Sequence, residues 1–124
     1  MKISSAKAKG RNLQNHVVAR ILHWFPSLEG HVKSTSMGVT GEDVQLSPTA
    51  RSALPISLEC KSRAAIAIYK DYEQATRHAQ GNFEPVLVVK QNRSKPLAIL
   101  DLDYYLSLMN LRHKENSICE RPKR

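Results

Sequence analysis

The chain has 124 residues, enough for one domain with a real core and too few for two ordinary ones. Nineteen Lys and Arg against eleven Asp and Glu give a net charge of +8 and a pI near 9.8, which favours a polyanionic partner, nucleic acid first. With 41% hydrophobic residues, a mean hydropathy of -0.42 and no apolar run near the ~20 residues of a spanning helix, the composition argues against a membrane protein. The N-terminal stretch MKISSAKAKGRN lacks the apolar segment of a secretion signal, so a soluble, cytoplasmic protein is expected. Two cysteines, Cys60 and Cys119, make neither a disulfide framework nor a zinc spacing. The histidines at 16, 23, 31, 78 and 113 show no metal-binding spacing with them or with one another.

In chain order, residues 1–9 read as a small, basic end that frays unless a phosphate backbone holds it, and 113–124 as a second flexible, basic end. From Arg11 the apolar residues Leu13, Val17, Ile21, Leu22 and Phe25 recur at near-helical spacing until Pro26. This predicts a first helix with Arg11, Gln14 and Arg20 on its polar face. His31–Thr35 reads as a strand, Ser36–Gly41 as a small-residue loop where backbone can approach a ligand, and Val44–Leu46 as a second strand directly after Asp43. Ser47–Pro55 is a connection bracketed by prolines with room for one helical turn, and Ile56–Lys61 a short buried strand. Ala64–Gln80 has no Gly or Pro and places Ile68, Tyr72, Ala75 and Ala79 on one face, predicting a second helix ended by Gly81. Pro85–Lys90 and Leu97–Leu100 form a predicted hairpin across a basic turn. Asp101 or Asp103 can cap a last helix from Tyr104 to about Leu111, followed by a loose tail from Arg112. The order is helix, three strands, helix, two strands, helix, an α/β arrangement around a mixed central sheet of about five strands.

The stretch carrying chemistry is Gly41–Lys61. Side chains alternate along a strand, so Glu59 and Lys61 project from one face and Cys60 from the other. With Asp43 entering from an earlier strand, two carboxylates and a lysine make a compact site for a hard divalent cation, Mg²⁺ or Mn²⁺. One acid-x-lysine triplet is roughly what chance predicts in a chain of this composition, so its weight comes from the buried strand and the upstream acid. One or two ions would polarise a scissile phosphate and lower the pKa of a bound water. Lys61 would position that water or neutralise developing charge, Gln14 or Gln74 would orient it, and Ser36 would bond a phosphate oxygen. A structural ion pair is the plain alternative.

Asp43 followed by Glu59-Cys60-Lys61 resembles the bipartite acidic motif of the PD-(D/E)XK nucleases, in a version similar to the archaeal-type Holliday junction resolvases and their phage relatives. Gly10-Arg11 with Leu13-Gln14, Ser34-Thr35-Ser36-Met37-Gly38, Gly41-Glu42-Asp43-Val44, Leu46-Ser47-Pro48 and Glu73-Gln74-Ala75 fit the same pattern, which spans residues 7 to about 100. The resemblance implies a restriction-endonuclease-like fold and a metal-dependent endonuclease cutting four-way DNA junctions as a homodimer. It implies metal ligation by Asp43, Glu59 and the carbonyl of Cys60, with Ser36 and Gln74 at the positions of the family's loop serine and second-helix glutamine. In the archaeal enzymes the first helix carries a glutamate ligand, whereas the matching residue here is Gln14, which weakens the case for a second ion. Lys7, Lys9, Arg11, Lys33, Arg63, Lys90, Arg93 and Lys95, together with Ser36, are candidate phosphate contacts. Two other readings stay open: a same-fold nuclease acting on nicks, flaps, mismatches or duplex, and a non-catalytic basic DNA-binding protein.

Overall fold

A computed structural model describes residues 3–36 and 41–120. Met37–Thr40 of the expected loop and the last four residues lie outside it, as does the side chain of Cys119. In order, the described residues form α1 (Ile3–Trp24), a 3₁₀ turn (Pro26–Leu28), β1 (Val32–Ser34), β2 (Val44–Leu46), α2 (Pro48–Ala53), β3 (Ile56–Ser62), α3 (Ile68–His78), β4 (Glu84–Lys90), β5 (Leu97–Ile99) and α4 (Leu102–Glu120). No helix among them is long and apolar enough to cross a membrane.

The expected mixed α/β order is found, but the five strands divide into two sheets. β1 and β2 pair antiparallel, Lys33 opposite Gln45, while β3, β4 and β5 form a mixed sheet. In that sheet β3 and β4 run parallel, with Glu59 beside Leu87 and Lys61 beside Val89, and β5 is antiparallel to β4. The sheets touch at Asp43, whose N–H donates to the Leu58 carbonyl (2.8 Å) and whose carbonyl accepts from the Thr35 N–H (2.9 Å). β1 ends at Ser34 and β2 begins at Val44, so Asp43 is the last residue of the connection between them.

Strand alternation gives the β3–β4 sheet two apolar faces. Leu58, Cys60, Val86 and Val88 pack beneath Leu13 and Val17 of α1, and Leu87 and Val89 pack against Ala75 of α3. Burying each such Leu or Val contributes about 1.5–3 kcal/mol, so the sheet is held from both sides. Glu59 and Lys61 share the face of Leu87 and Val89, the face that α3 covers.

Three helix boundaries differ from expectation by four residues or more. α1 begins at Ile3 rather than Arg11, because Ala6, Lys7, Ala8 and Lys9 are good helix formers and carry the helix through Gly10 at a cost of about 1 kcal/mol. α3 begins at Ile68 rather than Ala64, since Ile66 turns in to pack against Ala75, Leu87 and Val89 and draws the preceding residues off the helix axis. α4 runs nine residues past Leu111, as no Gly or Pro stops it, so 112–120 is helix rather than loose tail. Of the two candidate caps it is Asp101 that acts, its Oδ2 accepting from the Tyr104 N–H at 3.0 Å.

Candidate functional site

Asp43 stands where the two sheets meet. Its Oδ2 accepts a 2.7 Å hydrogen bond from the Cys60 N–H, which sets the carboxylate against the backbone between Glu59 and Lys61. The three residues on which the sequence reading rests are therefore brought together, across seventeen positions of chain. Glu59 is buried, 4% exposed, with Lys61 Nζ 3.6 Å from one carboxylate oxygen.

The other oxygen of Glu59 faces Nδ1 of His78, 3.1 Å away. Against an ionised carboxylate Nδ1 carries the proton, leaving Nε2 free. His78 closes α3 and is one-third exposed, so it is the solvent-facing member of the group. The sequence reading missed it: a lone histidine at a helix end carries no spacing signal, although it lies one helical turn beyond Gln74, itself half-buried on the same face of α3.

Burial pushes the Asp43 carboxyl up from 3.8 to about 6. The Cys60 N–H pulls it down, the Glu59 charge pushes it further up, and Lys61 and His78 offset part of that. Two carboxylates that repel each other in a half-buried setting are the kind of environment whose charge a cation would offset. Cys60, on the opposite face, has its thiol pushed well above the ordinary range by burial, then by Asp43 and Glu59, so it stays protonated and inert as a nucleophile.

The residue before Asp43 has the opposite character. Glu42 is buried and fully partnered: Arg51 from α2 pairs with Oε1, Ser57 Oγ donates to Oε2 at 3.0 Å, and Thr35 Oγ1 donates to its carbonyl at 2.7 Å. Arg51 in turn donates to the Ile56 carbonyl (2.9 Å) and lies 4.4 Å from the Phe83 ring centre. Gly41, at φ +108°, enters this network by a turn that side chains disfavour, and a Cβ there would meet Gln80 Nε2 at 3.3 Å. The network clamps the loop that delivers Asp43.

The remaining expected residues fall elsewhere. Gln14 is buried on α1, which covers the Leu58 and Cys60 face, and its Oε1 has no hydrogen-bond partner among the described residues. No hydrogen bond joins its side chain to Asp43, Glu59 or Lys61 among the described residues. Ser36 is exposed beyond β1 and makes no side-chain hydrogen bond among the described residues. Arg63, expected to contact phosphate, faces buried Asp71 at 3.4 Å. Lys7, Arg11, Lys33, Arg93 and Lys95 are exposed, while Lys9 and Lys90 are half-buried.

Asp43 and Glu59 are two acidic side chains, and no group of three or more His, Cys, Asp or Glu among the described residues is arranged to hold a metal. Mg²⁺ is nonetheless commonly held by one or two carboxylates with waters and substrate phosphate completing its shell, so the donor set fits that ion better than zinc. No protein-family model, curated protein or solved structure matches the chain.

Proposed function

We propose that the protein is a Mg²⁺-dependent DNA endonuclease of the PD-(D/E)XK kind, with a restriction-endonuclease-like fold, acting on branched DNA as a Holliday junction resolvase. The observation that carries this reading is the 2.7 Å bond from the Cys60 N–H to Asp43, which joins the isolated acid to the Glu59-Cys60-Lys61 triplet. A strand residue directs its N–H and C=O to the same neighbour. The Cys60 carbonyl thus faces the Asp43 side, in keeping with a third oxygen donor beside the carboxylates.

In this reading Asp43 and Glu59 hold the ion, Mn²⁺ serving in place of Mg²⁺. The ion, when bound, polarises the phosphate and acidifies a water. Lys61, paired with Glu59, neutralises charge developing on the phosphate oxygens. His78 fixes the Glu59 carboxylate from the other oxygen, and the Glu42–Arg51 clamp fixes the loop carrying Asp43. Gln74 and Ser36 are secondary candidates for contacting water or phosphate, and the net charge of +8 supports binding to a polyanion.

Two symmetric cuts in a junction call for a two-fold dimer. Exposed Leu102, Tyr105, Leu106 and Met109 on α4 offer an apolar face for one.

Labelled four-way junctions incubated with the protein test the reading. Cleavage should require Mg²⁺ or Mn²⁺ and fall roughly 10²–10³-fold in Asp43→Asn and Glu59→Gln. Equal cutting by both variants would overturn it. Faster cutting of flaps, nicks or duplex would keep the chemistry and change the substrate. A second reading draws on the pairing of Glu59 with Lys61 and His78: a structural ion cluster in a non-catalytic DNA-binding protein, which predicts salt-sensitive binding with no metal-dependent product.

A further inference from the structure

A groove runs along α1 on the face of the sheet away from Glu59. Two neighbouring cavities make it, of about 290 and about 420 Å³, with His16 and Pro96 lining both. One end is cationic. Lys9 and Lys90 line it together with Asn12 and Ser62, and no carboxylate lines either cavity.

Lys9 Nζ donates to Asn92 Oδ1 at 2.8 Å, tying α1 to the β4–β5 turn and forming the groove's wall while leaving two ammonium protons free. Lys90 has only a 3.5 Å contact to the Gln91 carbonyl. Two lysines lining one cavity with no carboxylate among its walls favour an anion there. The other end is aromatic. His16, Arg20 and Trp24 follow at four-residue spacing along α1, on one face, beside Leu97 and Ala98 of the edge strand β5. Trp24 is the chain's one tryptophan and is 71% exposed, an unusual position for the residue with most apolar surface to lose.

Cations at one end and an open indole at the other, over an α1 length of roughly 22 Å, match a strand whose phosphates and bases are both accessible. A duplex presents no base face to stack. We propose that this groove binds a single-stranded stretch of nucleic acid, with backbone phosphates at Lys9, Lys90 and Arg20 and an unpaired base stacked on Trp24. The groove uses none of the residues of the carboxylate site, so the inference does not rest on the nuclease reading.

The full chain is titrated with a 12-nucleotide oligo(dT) in EDTA at low salt, following Trp24 fluorescence alongside the anisotropy of a labelled oligonucleotide. Working without divalent cations separates this result from any failure of the cleavage reading. Saturable quenching is expected, with roughly ten-fold weaker binding in Trp24→Ala and partial recovery in Trp24→Phe. The Lys9→Ala/Lys90→Ala double variant should lose affinity and lower the salt dependence by about 0.7 per lost phosphate contact. Lys70→Ala, which removes an exposed lysine of α3, should bind as the unaltered chain does. Binding without a change in Trp24 fluorescence, unchanged affinity in the Trp24 and lysine variants, or equal quenching by a blunt duplex would each overturn the proposal. Since Trp24, Lys9 and Lys90 all lie outside the buried core, unaltered melting temperatures in the variants are expected and are measured in parallel.

Discussion

Glu42 and Asp43 are neighbours in the chain and opposites in environment. Glu42 has a guanidinium, two hydroxyls and a glycine-shaped approach built around it, every oxygen partnered. Asp43 has one backbone N–H, a repelling carboxylate nearby and a carboxyl pushed up to about 6 by burial. An acid whose interactions are complete serves the fold, whereas a carboxyl with a raised pKa beside another acid is the kind of group that clusters at functional sites.

Substitutions at the two positions should accordingly move stability in opposite directions. Glu42→Ala leaves Arg51 without its partner in a pocket of limited solvent access and should cost about 3 kcal/mol, read as a lowered urea midpoint with an unchanged slope. A loss under about 1 kcal/mol would mean the clamp is not what holds this loop.

His78 tests whether the Asp43 region works as a cation site. Mg²⁺ should raise the melting temperature by mass action, and His78→Ala should shift the concentration needed roughly ten-fold upward by freeing the Glu59 carboxylate to reorient. The same midpoint in both proteins would reduce His78 to a surface contact.

Asp43→Asn sharpens the contrast through pH. An acid whose native pKa lies above its unfolded value holds its proton more tightly when folded, so its folded state is favoured below 3.8 and loses that advantage as pH rises to about 6. The asparagine variant should melt together with the parent near pH 4 and above it at pH 7 in the absence of divalent cations. A variant less stable than the parent at pH 7 would show that the charge is compensated in a way the geometry does not reveal.

Much of this arrangement can be read before folding is considered. The Val86–Val89 run, bounded by Pro85 and the basic turn, is unmistakable as a buried strand, and Glu59 and Lys61 must share a face because the strand period is two. The connection bracketed by Pro48 and Pro55, with room for one helical turn, holds the short α2, whose first turn Ser47 caps through the Ala50 N–H. Other features carry no local signal. Ile66 and its neighbours have helical propensity, yet packing against Leu87 and Val89 overrides it. The overlooked histidine, the buried Glu42–Arg51 pair and the burial of Gln14 each depend on residues distant in the chain.

By itself the sequence determined the order of the elements, the faces of the strands and the identity of the carboxylates, since all three follow from the period of side chains along a single segment. Only the tertiary structure decided that the strands form two sheets meeting at Asp43, that α3 brings His78 to Glu59, and that one of two adjacent acids is neutralised while the other is not. Those outcomes depend on which donors reach a given oxygen in space, and a carboxylate's environment is set by desolvation and by charges a few ångströms away, which no local pattern of residues encodes.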